Sequence, residues 1–248
     1  SVAGEVDDFT VTDQGAGRNR LFLRGIADSP FNGESQSTVA VVLDDARLTY
    51  AAPDPDIALV DMDRVEVLKG PQGSLYGTGA LGGIYHLVTR RAVLDATSLD
   101  ITGSGQMIAD GGAGYAVSAV ANFPLARDAV GLRLVGYSRG GPGWVDTGPR
   151  RDANSSTLYG ARAGLGVDPG GGWRLDFTAF GQWLESKDSQ YVYDPGTRTR
   201  PDQIPEPHDN DLRHVSARLA RETGPVHLVA SFGVTWHEVG DVYDATVG

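Results

Sequence analysis

Three sets of residues have the types and spacing to do chemistry. Gly77, Gly79 and Gly82 match the G-x-G-x-x-G dinucleotide fingerprint and follow a strand-like run. That fingerprint needs a helix to open at its third glycine, because the helix amino terminus holds the pyrophosphate. Here Ile84-Tyr-His-Leu-Val-Thr89 follows and reads as a strand. The glycines therefore read as places of positive φ and close backbone approach. No Gly-Lys-Ser/Thr is present, so a P-loop is excluded. His86, His208, His214, His227 and His237 show neither HExxH nor paired-ligand spacing. His214, His227 and His237 fall on polar faces of strand-like segments and are expected to line a wet lumen or loop. Asp54, Asp56, Asp61 and Asp63 form an acidic run without the glycine and glutamate of a calcium loop. It reads as a helix cap and a solvated surface. Neither a serine-nucleophile motif nor a carboxylate pair stands out. No catalytic residue, metal site or cofactor is expected, and the chain is not read as an enzyme.

Composition narrows the class. The chain has 248 residues, enough for one large domain or two modest ones. Lys plus Arg is 21 against 32 Asp plus Glu, a formal charge of −11. Nucleic acid as a partner is thereby disfavoured, because such binding needs a basic face. The absence of cysteine removes disulfides, thiolate zinc sites and a cysteine nucleophile. No window of about 18 apolar residues offers a membrane helix. The first residues, Ser1-Val-Ala-Gly-Glu5, lack the basic start and apolar core of a signal peptide. There are 34 glycines, about double the usual share. A turn-rich β chain tolerates them better than helices do.

Two textures divide the chain, at about residue 92. Up to there, turn signals separate short strands at Leu21–Gly25, Thr38–Leu43, Arg64–Leu68 and Gly83–Thr89. Asp54-Pro55 predicts a short helix, with Asp54 as cap, Pro55 in the first turn, and Ile57, Leu59 and Val60 following. From Ser98 the pattern becomes strict alternation. Segments 99–107, 115–123, 130–139, 156–167, 173–183, 211–221 and 226–236 each place one apolar row against one polar row. In 173–183, Trp173, Leu175, Phe177, Ala179 and Trp183 oppose Arg174, Asp176, Thr178 and Gln182. The segment 130–139 is weaker, because Val135 and Tyr137 sit on its polar side. Connections at 124–129, 168–172 and 222–225 are short, whereas 140–155 and 186–210 are long; 109–114 is a short exception.

Period-2 alternation sets one face on an apolar medium and the other on a polar one. Alternation alone leaves open a soluble β-sandwich, acting as an adhesion or carbohydrate-binding module, and a transmembrane β-barrel. Spans of about 9–11 residues suit a tilted membrane strand. Aromatic residues near both ends of the rows, and short turns alternating with long loops, favour the barrel. Seven strands fall short of the even number, at least about eight, of a closed bacterial barrel. The chain is therefore expected to be a truncated piece.

The run Asp63-Arg-Val-Glu-Val-Leu-Lys-Gly-Pro-Gln-Gly-Ser-Leu-Tyr-Gly-Thr-Gly-Ala-Leu-Gly-Gly83, continued by Ile84–Arg90, resembles the late plug of TonB-dependent outer-membrane receptors. In that family the segment reads roughly RVEVLRGPQGxLYGxxAxGGxxNIVTR. This chain departs at Lys69, often Arg, and His86, often Asn. Asp44-Asp45 stands where the family often has Asp-Gly. Arg20-Leu-Phe-Leu-Arg-Gly-Ile26 also resembles plug sequence. The resemblance implies a mainly β protein: an α+β plug of short strands and a small helix over residues 1–92, then the antiparallel meander of a truncated transmembrane β-barrel over 93–248. It implies TonB-dependent uptake of a scarce solute, a ferric siderophore first, across the bacterial outer membrane. The implied partners are the TonB energy-coupling protein, reached through a segment not in this chain, a small-molecule ligand such as a metal chelate, and outer-membrane lipid. Val6–Thr12 superficially resembles a TonB box but runs directly into the plug, and reads as plug. Family ligand contacts come from apical plug loops, which match here at Phe31, Asn32, Gln36 and Tyr50. Arg24 and Lys69 match plug positions that pair with barrel glutamates, a plug–barrel lock whose partners would lie beyond Gly248. Ordinary pairing within the plug, Arg64 with Glu66, remains equally open. Gly70, Gly73, Gly77, Gly82 and Gly83 are the structural glycines.

Overall fold

The computed structural model describes residues 9–12, 14–23, 35–48, 51–71, 81–192, 196–201 and 204–245. The amino-terminal part holds β1 (Phe9–Val11), β2 (Leu21–Leu23), β3 (Ser35–Gln36), β4 (Val39–Leu43), β5 (Ala46–Arg47), β6 (Ala51–Ala52), β7 (Met62–Lys69) and β8 (Gly83–Thr89). Its centre is a four-stranded sheet in the order β5-β4-β8-β7. β4 and β8 run parallel, and β7 returns antiparallel to β8. β1 pairs with β2, and β3 with β6. β4, Val-Ala-Val-Val-Leu, is buried on both faces, as its unbroken apolar run requires.

The expected helix after Asp54 does not form, and no helix occurs among the described residues. Residues 54–60 are irregular, with two tight turns in which Ile57 N–H donates to the Pro55 carbonyl and Val60 N–H to that of Ala58, both at 2.8 Å. The cap and the proline were present, but neighbouring side chains take the backbone groups a helix would have used.

The second part is one antiparallel meander of seven strands. They are β9 (Ser98–Met107), β10 (Ala113–Ala126), β11 (Val130–Gly141), β13 (Ser156–Gly170), β14 (Trp173–Ser186), β16 (His208–Thr223) and β17 (Val226–Asp241). The short strands β12 (Asp146–Thr147) and β15 (Thr199–Arg200) pair in parallel and tie the two long loops together. All seven alternating segments are thus strands, longer than their sequence patterns by one to five residues.

Which medium each row meets decides between sandwich and barrel. Val117, Tyr159, Phe177, Val215 and Phe232 of the apolar rows remain between 42% and 68% exposed. Among the described residues no second sheet covers them, as the inner rows of a sandwich would require. The opposite face packs on the amino-terminal part. Phe180 of β14 and Leu212 of β16 join Val41, Leu43, Leu48, Ile57 and Leu87 in one core cluster, with Tyr137 packed against it. That explains the weak alternation of β11: Val135 and Tyr137 face protein rather than water.

β8 enters its sheet through Gly83, whose φ is +142°. A Cβ there would lie 2.1 Å from the Leu68 carbonyl oxygen on β7. Gly83→Ala is expected to cost more than ~1 kcal/mol, seen as a lower unfolding midpoint and faster proteolysis of residues 1–92 in the full-length protein. An unchanged midpoint would refute the close approach.

Candidate functional site

The seam between the two parts concentrates the buried polar chemistry. Buried backbone groups need partners, and the irregular segment 54–61 finds them on the meander. Gln182, 1% exposed on β14, accepts from Ala58 N–H at 2.9 Å and donates through Nε2 to the Asp56 carbonyl at 3.0 Å. Its Oε1 also accepts the Tyr137 hydroxyl at 2.9 Å. Asn210 of β16 donates to the carbonyls of Gly17 and Asp54, at 3.1 and 3.3 Å. Arg162 of β13 donates to the Asp61 carbonyl at 2.8 Å. The meander thereby replaces the hydrogen bonds of the absent helix.

Asp61 closes this segment. Its backbone has φ +56°, a left-handed conformation that Asp tolerates. Its carboxylate takes Arg133 Nε at 2.8 Å and Nη2 at 2.5 Å, a two-point contact, and Arg162 Nη2 at 2.8 Å. The three side chains are 4%, 9% and 5% exposed for Asp61, Arg133 and Arg162. Such charges are tolerable only when paired. Residues read in sequence as a solvated acidic run are therefore partly structural: Asp54 and Asp61 are buried, while Asp63 stays at the surface beside Arg64.

Two further groups flank the seam. At the long-loop end, Arg18 donates to the Glu206 carbonyl at 2.7 Å, lies 3.7 Å from Asp241 and stacks over Tyr243. Burial pushes the Tyr243 hydroxyl up to about 12. Arg200, fully buried, pairs with Asp188 and lies 3.5 Å from Glu206, which fixes the loops to each other. At the short-turn end, Arg174 donates to the Ala92 carbonyl at 2.9 Å and Arg218 approaches Asp45 to 2.8 Å. Within the small sheet, Tyr85 stacks on Phe9 and is pushed up to about 12 by burial.

Of the residues singled out in sequence, Arg24, Phe31, Asn32, Tyr50, Gly73 and Gly77 lie outside the described residues, and of Gln36 only the backbone, in β3, is described. Lys69 ends β7 with an exposed side chain, its backbone opposite Gly83. Gly70 has φ +88° and donates to the Gly82 carbonyl at 3.0 Å, while Gly82 donates to Thr38 at 2.9 Å. The pair Arg64–Glu66 is formed at 2.7 Å, and Arg64 together with His86 holds the Glu66 carboxyl below its ordinary range. Asp44, rather than Asp45, takes the left-handed turn position, with its carboxylate on Thr89. His214 is buried under the small sheet rather than wet, while His227 is exposed near Glu222. Gln182, Asn210, Arg133 and Arg162 escaped the sequence reading as a set. Their signal was the apolar residues Phe180 and Leu212 sharing their polar rows.

Residues 1–84 match the family model described as TonB-dependent Receptor Plug Domain. Over these residues the chain is similar to a TonB-dependent receptor plug. Its whole fold is that of such a plug followed by barrel strands. The ferric yersiniabactin uptake receptor FyuA from Yersinia pestis superposes with TM-score 0.79 at 14% identity, over 99% of this chain and 39% of that one. The ferripyoverdine receptor of the outer membrane of Pseudomonas aeruginosa gives 0.66 at 19% identity, over 87% and 28%. BauA, the ferric preacinetobactin receptor from Acinetobacter baumannii, gives 0.68 at 18% identity, over 94% and 34%. At these identities the likeness is one of fold. In sequence, the pesticin receptor of Yersinia enterocolitica is 56% identical over 34 residues, 14% of this chain and 5% of its own length. The chain thus spans well under half of the receptors it resembles.

Breaking the Asp61 cluster leaves buried guanidinium groups short of a counter-charge. In the full-length protein, Asp61→Asn is expected to weaken the seam by about 3–5 kcal/mol, read as a lower unfolding midpoint and a protease-sensitive amino-terminal part. Asp63→Asn, at the surface, is expected to change it by under about 0.5 kcal/mol. Equal effects of the two variants would contradict the assignment.

Proposed function

We propose that this chain belongs to a bacterial outer-membrane receptor that imports a scarce solute, with a ferric siderophore as first candidate. Residues 1–92 act as the plug, and 93–248 supply the first strands of the wall. One observation supports the reading: the amino-terminal part is held by polar side chains on one face of a sheet whose other face is an exposed apolar row. That outer face suits lipid, and the seam suits a plug that must yield. Hydrogen bonds and ion pairs can be exchanged for water when the plug moves, whereas a dry apolar seam would hold it more firmly.

The solute binds above the plug. Phe31 and Tyr50 would offer stacking area there, and Asn32 and Gln36 hydrogen bonds. The TonB coupling protein then pulls from the opposite side, through a segment outside this sequence, and the plug yields. Arg24 and Lys69 would add a second set of plug–barrel contacts, to glutamates elsewhere in the barrel. The named ligands of the structural relatives, ferric yersiniabactin, ferripyoverdine and ferric preacinetobactin, support a siderophore as cargo.

The test is genetic and chemical. In-frame deletion in the source bacterium is expected to abolish uptake of one radio-iron siderophore from a defined panel under iron starvation, with recovery on returning the full-length gene. Unchanged uptake of every chelate in the panel would overturn the reading.

A further inference from the structure

The inner wall carries more positive charge than one latch requires, and it carries it in order. Arg162 on β13 lies opposite Phe180. Two residues nearer the short-turn end, Gly164 lies opposite Arg133. Two further on, Gly166 lies opposite Asp176, which in turn faces Arg218. The three arginines thus sit at successive levels about 7 Å apart along the strand direction, on β13, β11 and β16. Gly164 leaves the space beside it open, while the Arg174 guanidinium lies over Gly166.

In this state the plug supplies carboxylates to the stair. Asp61 takes the upper two arginines, and Asp45 approaches the lowest to 2.8 Å. Arg218 is incompletely satisfied: its Nε and Nη1 are buried near Asp45 and Asp176 without hydrogen-bond alignment to either. A cavity of about 40 Å³ already separates plug and wall here, lined by Asp44, Arg90, Arg133, Arg162, Asp176 and Arg218 among others. When the plug moves, Asp61 and Asp45 leave with it; Asp176 stays, but it is already hydrogen-bonded to Arg174 at 2.9 Å, so the three guanidinium groups are left short of counter-charge.

We propose that Arg162, Arg133 and Arg218 form an anion-binding path along the inner wall for a carboxylate-bearing solute, and that Asp61 and Asp45 are its tethered occupants while the plug is seated. Arginine suits this role because its planar fork grips a carboxylate at two points and stays charged. The same wall that holds the plug then offers a leaving plug's place to an anionic cargo, so release of one and passage of the other use the same groups. The role in passage rests on the uptake reading above; the anion site itself does not.

The experiment is chemical rescue in the purified full-length receptor, with acetate as probe and chloride at equal ionic strength as control. Asp61→Ala is expected to lower the unfolding midpoint, and acetate to raise it again in a saturable way that chloride does not match. Adding Arg133→Gln and Arg162→Gln is expected to abolish that rise. Asp45→Ala, at a partly exposed position, is the second arm, with its acetate response lost on adding Arg218→Gln. It decides the matter if Asp61→Ala fails to assemble. Equal responses to acetate and chloride in the assembled single variants, or an acetate response that survives loss of the arginines, would overturn the proposal. Because this readout is equilibrium stability, it fails or succeeds independently of the iron-uptake assay.

Discussion

A buried strip of irregular backbone cannot be left without hydrogen-bond partners, and this protein meets that constraint from outside the strip. Residues 54–61 run between the plug sheet and the wall with no regular structure of their own. Each unpaired amide or carbonyl there would cost about 1–3 kcal/mol. Gln182, Asn210 and Arg162, projecting from three strands of the wall, complete them. Asp61 ends the strip with a carboxylate shared by two arginines. The position of the plug therefore depends on side chains it does not own.

That arrangement sets the character of the seam. An apolar patch anchors it where Phe180 and Leu212 meet Leu43, Ile57 and Leu87. Around the patch the contacts are amides, guanidinium groups and carboxylates. Polar contacts of this kind are specific in geometry, yet each can be traded for water at modest net cost. A seam of this kind fixes the relative position of the two parts without sealing them together by apolar contact alone. At the two ends, Arg18 and Arg174 repeat the device, one donating to the Glu206 carbonyl of a long loop and the other to the carbonyl of Ala92.

Much of this was legible in the sequence. The seven alternating segments became the seven strands of one meander, since period 2 is enforced wherever the two faces of a sheet meet different media. The two ends of the late-plug motif folded as the paired strands β7 and β8, with Gly83 closing against Leu68. What sequence could not separate was a wet lumen from a filled one. A polar row looks the same whether it meets water or another domain's backbone. Val135 and Tyr137, read as a flaw in the alternation, were the trace of that second domain. The helix after Asp54 failed for a related reason: cap and proline are local signals, and the competing partners lay more than a hundred residues away on the wall. Asp61 gave no local sign of burial either, because its two arginines come from different strands of the meander.

The most direct test of the wall's role is amide hydrogen exchange at Ala58 in the full-length receptor. Among the described residues its N–H is held by Gln182 of β14 and by no group of the amino-terminal sheets. In Gln182→Leu, Ala58 is expected to lose its protection while the amides pairing β4 with β8 keep theirs. If Ala58 stays as protected as in the parent, or if the whole plug loses protection together, the wall does not hold this segment in the way described.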